Sequence, residues 1–583
     1  MLKSVKFWVV VVITTTSVLA ALSAWNDSVI VDEVPHIGAG YSYLVKQDMR
    51  LNPEHPPLAK DVAAIPLLFL HLKQTVFTTP QWLSDLNGQW YFGRYLMFNS
   101  DNDADKIKHA VKLPMLLFFI FTALLIFRWT KRQYGELAAL LATTLFAFSP
   151  TVLAHSRFVT TDVPALFGVT LATYCFLRYL NNPSRKNVWW AGLSLGIALL
   201  TKFSTILLLP FFVVLALVWI ALYKNFKFHA WRCLYIGLIA FLLIVWPVYF
   251  FHTYHYPPER QHSDTQSLLS SYGHRQIADT VVWSSDKPLL RPLAQYSLGL
   301  LLVNQRATGG NTTYFFGEVT STGWHRYFPI VYFIKEPLAW WGLVLLALVA
   351  VLNKFSLRLR FSALTHWLKD HFTEFALLLW LAIYWGISIK SNLNIGVRHL
   401  LPTYSFAIIL VSGRVIQLIK SRVGIVHRLL RITVVVLLIW YAGENFYVYP
   451  YYLSYFNETV GGPSGGYRYV VDSNLDWGQD LLRFSQWVKQ NNLQKIELDY
   501  FGWADPFYYL KDRYLWTSST KYRDLADFKA RNQSNGWLAV SAEFLQGSRG
   551  TPEHPQTINY NNWLKPLTPV TVIGHSIFVY HLP

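Results

Sequence analysis

Two adjacent carboxylates, Asp32 and Glu33, follow the first long apolar segment of the chain. A carboxylate in such a position can act as a general base, because it can remove a proton from an acceptor hydroxyl while that hydroxyl attacks a carbon atom. The alternative interpretation is structural, since acidic side chains just outside an apolar helix are most often simply solvated. Position alone leaves both interpretations open.

Two further sites carry cations where an anionic partner would be favourable. Lys202 interrupts the apolar stretch ALLTKFSTILLLP, and Arg398 and His399 open a later apolar segment within SNLNIGVRHLLP. A cation in apolar surroundings is costly unless it reaches the membrane interface or meets an anion, and a cation at a helix start opposes the helix dipole. These residues are therefore candidate phosphate contacts. Snorkelling to a lipid headgroup is the alternative for Lys202, and interfacial anchoring is the alternative for Arg398.

A third candidate pair, Arg157 and Asp162, lies five residues apart in AHSRFVTTDVPA. An acidic residue two positions before Pro164 is typical of a helix start, where it caps free backbone N–H groups. A capping carboxylate can also face a site. We expect Asp162 to orient an acceptor or to hold Arg157, which is itself a candidate phosphate contact.

The elements that must position these residues are membrane spans. The chain has 583 residues, of which 53% are hydrophobic and 14% are charged, whereas about 25% of a soluble domain is charged. Apolar runs long enough to cross a hydrocarbon core of about 30 Å recur along it. We predict a polytopic α-helical membrane protein with about eleven spans, at residues 7–25, 109–127, 136–153, 162–180, 188–201, 203–222, 233–251, 329–351, 374–389, 399–418 and 429–446.

The distribution of positive charge predicts the orientation. The formal net charge is +18, and cations concentrate in alternate gaps between spans, which is the positive-inside pattern of cytoplasmic loops. Membrane topology thus explains the basicity, and we expect no nucleic-acid partner. The N-terminus is predicted to be cytoplasmic, as are the gaps that contain Lys3, Lys6, Arg128, Lys131, Arg132, Arg178, Arg185, Lys186, Lys224, Lys227, Arg232, Lys354, Arg358, Arg360, Lys420, Arg422, Arg428 and Arg431.

This orientation divides the chain into two predicted domains. Residues 1–446 form the transmembrane domain, with large outer loops at 26–108 and 252–328. Residues 447–583 are richer in charge and turns, and we expect a small extracytoplasmic α/β domain. Its predicted elements are a strand at YRYVVDS, a helix at LLRFSQWVKQ, strands at KIELDYFG and GWLAVSA, and a hairpin at VTVIGHSIFVYHL.

The acidic pair also carries a family resemblance. The DE pair is followed about twenty residues later by EHPPLAK, and SNLNIGVRHLLP and DSNLDWGQDL occur further along. In these motifs the sequence resembles the lipid-dependent C-type glycosyltransferases of the protein O-mannosyltransferase and aminoarabinose-transferase branch. The resemblance implies that Asp32 is the catalytic base with Glu33 beside it. It also implies that Glu54 and His55 lie near the donor phosphate.

The same resemblance implies a reaction. A sugar would move from a polyprenyl-phosphate carrier to an acceptor hydroxyl of a protein, lipid or glycan on the outer membrane face. With one base carboxylate and no obvious second nucleophile, displacement would invert the anomeric centre, and cations at the carrier phosphate would stabilise the leaving group. We expect no required cofactor and no metal ligands, although a divalent metal stays possible. The segment around DSNLDWGQDL is similar to bacterial transferases, which favours a prokaryotic plasma membrane.

Two other classes of protein remain as alternatives. A secondary transporter also has many spans, but it would be expected to place ionisable residues near the middle of the membrane and often to show related halves. A non-catalytic protein of envelope assembly would tolerate the loss of Asp32. Neither the sugar nor the acceptor can be read from the sequence.

Overall fold

The computed structural model describes residues 4–352 and 361–583, and this part of the chain is mostly helical. Lys3, Lys354, Arg358 and Arg360 of the predicted cytoplasmic gaps lie outside the described residues. Within these described ranges, eight helices are long and apolar enough to cross a membrane, which identifies an integral membrane protein. They are Val5–Ser23, Ala104–Tyr134, Asp162–Asn181, Phe203–Tyr223, Phe226–Thr253, Phe372–Lys390, Val397–Lys420 and Gly424–Val448.

Two further predicted spans are broken helices. Glu136–Ala147 and Pro150–Ser156 meet at a bend of 60°, and Tyr327–Lys335 and Leu338–Leu352 meet at a bend of 108°. Proline explains both breaks. It has no backbone N–H to donate within the helix, and it forces the preceding residue toward an extended backbone. Glu336, just before the second proline, is extended. Counting each bent pair as one span raises the total to 10.

The fifth predicted span, at residues 188–201, is a helix in the structure, and its crossing of the membrane stays a prediction. This segment is the helix Arg185–Leu199, which has 15 residues and is therefore about 22 Å long, shorter than a hydrocarbon core of about 30 Å. It packs closely against the Phe226–Thr253 helix, because a Cβ atom added at Gly192 would lie 2.6 Å from Ile239, and one added at Gly196 would lie 2.5 Å from Ile244. Packing against a longer helix, rather than length, holds it in the bundle.

Short helices fill the two large segments between spans. In residues 26–103 the helices are Glu33–Lys46, Leu58–Ala64, Pro80–Leu83 and Gln89–Arg94, with 3-10 turns at Ile65–Phe69 and Gln74–Thr78. Residues 254–326 contain helices Pro258–Leu268, Arg275–Ser284 and Arg291–Gly309, then an antiparallel hairpin of β1 (Thr313–Phe315) and β2 (Glu318–Thr320). A further helix, Phe361–Asp370, precedes the span at Phe372.

The C-terminal region forms the predicted α/β unit. Its strands are β3 (Ile496–Asp499), β4 (Tyr514–Trp516), β5 (Trp537–Ser541), β6 (Thr571–Ile573) and β7 (Ile577–His581). They form one sheet in the order β4-β3-β5-β7-β6, in which β3 is parallel to β4 and β5, and β7 is antiparallel to β5 and β6. The accompanying helices are Leu481–Gln490, Pro506–Leu510, Leu525–Arg531, Ala542–Gly547 and Tyr560–Trp563.

The predicted helix at LLRFSQWVKQ, both central strands and the terminal hairpin are all present in this unit. The strand predicted at YRYVVDS is wrong. Val470 makes a single β-bridge to Phe315, and the segment then turns at Asp472, whose φ is 56°. The first residues of the segment form the 3-10 turn Gly466–Arg468, and Tyr469 is also in the right-handed helical region, so no extended run long enough for a strand precedes Asp472.

Candidate active site

A cavity with an empty volume of about 1040 Å³, part of it open to solvent, lies between the helix starting at Glu33 and the ends of several spans. Five residues singled out in the sequence line it: Asp32, His55, Lys202, Arg398 and His399. They come from four separate stretches of the chain. The remaining lining residues are His36, Thr160, Thr161, Phe203, Ser204, Leu207, Val303, Arg306, Ala307, Phe328, Tyr384, Ile387, Ser388, Ser391, Leu393 and Ile395.

Arg398 links three parts of the structure at this cavity. Its Nη1 donates to Asp32 Oδ2 at 2.8 Å and lies 3.4 Å from Asp162 Oδ2, while its Nε donates to Ser473 Oγ at 3.0 Å. The side chain is nearly buried, with 9% exposed. Gly396 permits the tight approach of its loop to the C-terminal region, because its φ is 137° and a Cβ atom there would lie 2.3 Å from Ser473 Oγ.

Asp162 holds two of the predicted phosphate-binding cations, Lys202 and Arg398. Its Oδ1 accepts from Lys202 Nζ at 2.6 Å and its Oδ2 faces Arg398. Lys202 has an extended backbone between two helical segments, which carries its side chain back to the start of the Asp162–Asn181 helix. The formal charges of Asp32, Asp162, Lys202 and Arg398 therefore cancel.

Arg306 adds a further positive charge to the cavity, beyond the four charges that cancel. It lies on the helix Arg291–Gly309, lines the cavity and is exposed. Within the described part of the chain its guanidinium makes no ion pair and no hydrogen bond. Sequence reasoning missed Arg306, because an arginine in a polar outer segment has nothing in its local pattern that distinguishes it from a solvated one.

Neutral imidazoles line the same wall. The His36 and His55 rings pack edge to face with centroids 5.0 Å apart, and His36 Nδ1 bonds to the Val159 carbonyl oxygen at 2.7 Å. Burial lowers the pKa of His36 and, more strongly, that of His55. Both rings are thus uncharged near neutral pH and can offer hydrogen bonds without adding charge. His36 was not predicted, because one histidine within an apolar helix carries no distinctive signal.

The first two residues of the EHPPLAK motif, Glu54 and His55, point in different directions. His55 lines the cavity, but Glu54 turns away from it and accepts from Gln89 Nε2 at 2.5 Å and from Asn87 Nδ2 at 3.2 Å. Lys60, at the end of the motif, stabilises the turn that contains His55, since its Nζ donates to the His55 carbonyl oxygen at 2.7 Å. Burial lowers the pKa of Lys60 to about 7.

Glu33 and Arg157 lie outside the cavity lining. The fully buried Glu33 carboxylate accepts from the backbone N–H groups of Ile30 and Val159, both at 2.9 Å, and lies 3.3 Å from Lys112 Nζ. Burial raises the pKa of the Glu33 carboxyl. Arg157 Nη1 lies 2.8 Å from Asp27 Oδ2, so the predicted contact with Asp162 is replaced by a pair with Asp27.

Over residues 4–352 and 361–583 no group of three or more His, Cys, Asp or Glu side chains is arranged to hold a metal ion. The polar residues of DSNLDWGQDL instead bond to protein groups. Asn474 Oδ1 accepts from the Val397 N–H at 2.9 Å, and Asp476 Oδ2 accepts from the Glu543 N–H at 3.1 Å.

Parts of the chain are similar in sequence to proteins of known families. Residues 8–258 match the family model described as dolichyl-phosphate-mannose-protein mannosyltransferase. The chain is 28% identical over 203 residues to dolichyl-phosphate-mannose–protein mannosyltransferase 4 of Schizosaccharomyces pombe, covering 33% of this chain and 23% of that protein. It is 27% identical over 184 residues to mannosyltransferase 1 of the same description from Saccharomyces cerevisiae, covering 30% and 20%.

The chain thus spans less than a quarter of the length of either yeast protein. Among solved structures, ArnT from Cupriavidus metallidurans, bound to undecaprenyl phosphate, aligns over 99% of this chain and 98% of its own, with 13% identity and a TM-score of 0.47. The resemblance inferred from the DE pair and EHPPLAK is confirmed by the family match, which lies N-terminal to SNLNIGVRHLLP and DSNLDWGQDL, and residues 8–258 are similar to the dolichyl-phosphate-mannose-protein mannosyltransferases.

Proposed function

We propose that this protein is a membrane glycosyltransferase that moves a sugar, with mannose as the first candidate, from a polyprenyl-phosphate carrier to an acceptor hydroxyl. The observation that carries the proposal is the pairing of Asp32 with Arg398 on the wall of a cavity that also contains Lys202 and Arg306. A base and several cations within one cavity are what displacement from a sugar phosphate requires. The family match over residues 8–258 supports the same chemistry.

The cations act on the leaving group. The carrier phosphate gains negative charge as its bond to the anomeric carbon breaks, so fixed positive groups stabilise the transition state more than the bound donor. Arg306 meets the phosphate without giving up a partner, whereas Lys202 and Arg398 share Asp162 between them. His55 and His399 contribute hydrogen bonds along the same wall.

Asp32 removes the proton of the acceptor hydroxyl as the oxygen attacks the sugar. Its side chain is 25% exposed, which leaves room for an acceptor, while Arg398 orients the carboxylate. Among the described residues that line the cavity, Asp32 is the one carboxylate. With no second carboxylate to form a glycosyl-enzyme, a single displacement inverts the anomeric centre. In this scheme Glu33, Glu54 and Arg157 stabilise the structure around the cavity, and no metal is required.

The proposal includes a location. The transmembrane domain comprises residues 1–446 and the extracytoplasmic domain comprises residues 447–583, in the plasma membrane of a prokaryote with the N-terminus inside. The cavity then opens toward the outer face, where the donor is presented by the lipid and the acceptor is a protein, lipid or glycan. The clustering of cations in alternate gaps of the sequence supports this orientation.

The test is a donor panel. The purified protein is incubated with membranes as acceptor source and with polyprenyl phosphates carrying mannose, glucose, galactose, a pentose or an aminopentose. Release of polyprenyl phosphate from at least one donor, lost in Asp32→Asn, supports the proposal. Movement of intact donor across vesicles without cleavage would instead identify a transporter, and neither cleavage nor movement would indicate a non-catalytic protein.

A further inference from the structure

Residues 473–479 of the C-terminal region contact the two chain segments that carry Arg398 and Asp32, the ion pair of the candidate active site. On one side the segment contacts the loop that leads into Arg398, and on the other it pairs with the backbone that leads into Asp32. None of its residues lines the cavity. Its contacts nevertheless decide where the charged groups of the cavity lie.

On the cation side, three residues of the segment hold Arg398. Ser473 Oγ accepts from Arg398 Nε at 3.0 Å and donates to the Ile395 carbonyl oxygen. Trp477 packs its ring 4.0 Å from the guanidinium carbon, a favourable cation–π contact. Asn474 accepts from the Val397 N–H.

On the carboxylate side, the contacts are made by the backbone. The Val31 N–H donates to the Trp477 carbonyl oxygen at 2.9 Å, and the Ser28 N–H donates to the Gln479 carbonyl oxygen at 2.8 Å. Arg483, just beyond the segment, reinforces this pairing, since its Nη1 lies 2.6 Å from Asp27 Oδ1. The residue preceding Asp32 is thus tied directly to the C-terminal region.

We propose that residues 473–479 form a positioning element of the active site, in which Ser473 is the positioning residue that orients the Arg398 guanidinium toward Asp32 and the carrier phosphate. This inference rests on the proposed function. A guanidinium has five N–H donors in one plane, so fixing Nε at Ser473 and one face at Trp477 fixes the directions of Nη1 and Nη2. Nη1 is used by Asp32, and Nη2 donates to no residue in the described ranges, which leaves it for the ligand.

A purely structural role makes a different prediction. If Ser473 only fastens the C-terminal region to the membrane bundle, its loss lowers stability and acts independently of Arg398. If it positions Arg398, its loss affects turnover only while Arg398 is present. A double-mutant cycle separates the two cases, because residues that act through one another are non-additive.

The experiment uses full-length protein in detergent or nanodiscs. We compare Ser473→Ala with the wild type, each with Arg398 and with Arg398→Ala, and measure kcat, KM and undecaprenyl phosphate affinity. Ser485→Ala is the matched control, because Ser485 is also buried in the C-terminal region and, among the described residues, its Oγ bonds only to the Leu482 carbonyl oxygen at 2.8 Å. Thermal unfolding reports stability for every variant.

Ser473→Ala is expected to lower kcat/KM roughly tenfold or more when Arg398 is present, and to change neither turnover nor carrier affinity further when Arg398 is absent. Ser485→Ala should leave kcat/KM near normal. Equal losses in both backgrounds, or unchanged activity in Ser473→Ala, would overturn the inference. If Ser473→Ala does not fold, Ser473→Cys, with a weaker acceptor of similar size, takes its place in the cycle.

The cycle also separates this inference from the proposed function. A wild-type protein that neither binds undecaprenyl phosphate nor cleaves any donor contradicts the proposed function and, with it, the role of Ser473. An active wild type with an unaffected Ser473→Ala variant contradicts the positioning element alone.

Discussion

Arg398 Nη1 donates to Asp32 Oδ2 at 2.8 Å, although 366 positions separate the two residues in the chain. The pair couples the two halves of the proposed reaction, because the cation that contacts the leaving phosphate also holds the base. A donor phosphate that accepts a hydrogen bond from Arg398 would share that guanidinium with Asp32, which places the base beside the reacting sugar.

Topology can be tested by chemical labelling. Ser84 is exposed in the first large segment between spans, and Lys186 is exposed at the start of a helix in a predicted cytoplasmic gap. With Cys175 and Cys233 replaced by alanine, Ser84→Cys and a tag after Pro583 should react with an impermeant reagent in intact cells. Lys186→Cys should react only after permeabilisation. The reverse labelling pattern would contradict the proposed orientation.

Arg306 provides a test of the phosphate site with little structural side effect. Because its guanidinium has no partner within the described residues, Arg306→Ala should leave thermal stability nearly unchanged. Losing one charged contact to the carrier should cost about 1.5 to 3 kcal/mol, measured as a higher KM for the donor. Arg306→Lys should recover part of this loss.

Arg275→Ala is the control for this variant, since Arg275 also lies in the second large segment between spans but pairs with Asp279 and does not line the cavity. It should keep a normal KM. An Arg306→Ala protein with unchanged donor affinity and turnover would remove Arg306 from the site.

Sequence analysis predicted those site residues whose neighbours in sequence are unusual for a charged side chain. Asp32, Lys202 and Arg398 stand out because a charge next to an apolar run needs an explanation, and the structure brings all three to one region. Arg306 and Ser473 do not stand out, because each has ordinary neighbours in sequence. Their importance comes from tertiary contacts made across the fold, which local patterns do not encode.

The same reasoning explains the differences in the fold. The periodic segments gave correct helices, including Arg185–Leu199, in which Gly192 and Gly196 allow close packing in the bundle. The YRYVVDS segment has strand-forming residues, yet Val470 makes only one bridge before the chain turns at Asp472. In the YRYVVDS segment, tertiary contacts override a local preference.

Glu33 should contribute to stability more than to chemistry. Its carboxylate accepts from two backbone N–H groups and pairs with Lys112. Glu33→Gln places an amide N–H against one of these donors and removes the charge beside Lys112, which should cost about 1 to 3 kcal/mol of stability. Thermal unfolding should show the loss, while kcat of the folded fraction stays near normal. Unchanged stability with a large loss of kcat would assign Glu33 to the reaction itself.

The buried Asp499 carboxyl should make the free energy of unfolding depend on pH. Burial raises the pKa of the Asp499 carboxyl to about 7, well above the value of about 3.9 in an unfolded chain, and Tyr560 donates to it at 2.8 Å. Between these two pH values the unfolded chain ionises Asp499 while the folded chain keeps it neutral. The stability present at low pH is therefore lost as pH rises to about 7, by on the order of 1 kcal/mol per pH unit.

Asp499→Asn keeps an acceptor for Tyr560 and has no charge to bury. Its thermal midpoint should fall less between pH 4 and pH 8 than that of the wild type, whereas the exposed Asp512→Asn should follow the wild type. Equal slopes in the wild type and Asp499→Asn would show that this carboxyl does not titrate as proposed.

The proposed mechanism makes Asp32 the general base, and the turnover of the Asp32→Asn variant tests this assignment. The asparagine keeps the size of the side chain and an acceptor for Arg398, so undecaprenyl phosphate binding should persist. Turnover with the active donor should fall roughly 100- to 10,000-fold, because general-base assistance is lost. Near-normal turnover of Asp32→Asn in the same preparation would contradict the account, and if Glu33→Gln then collapsed, the base would be Glu33.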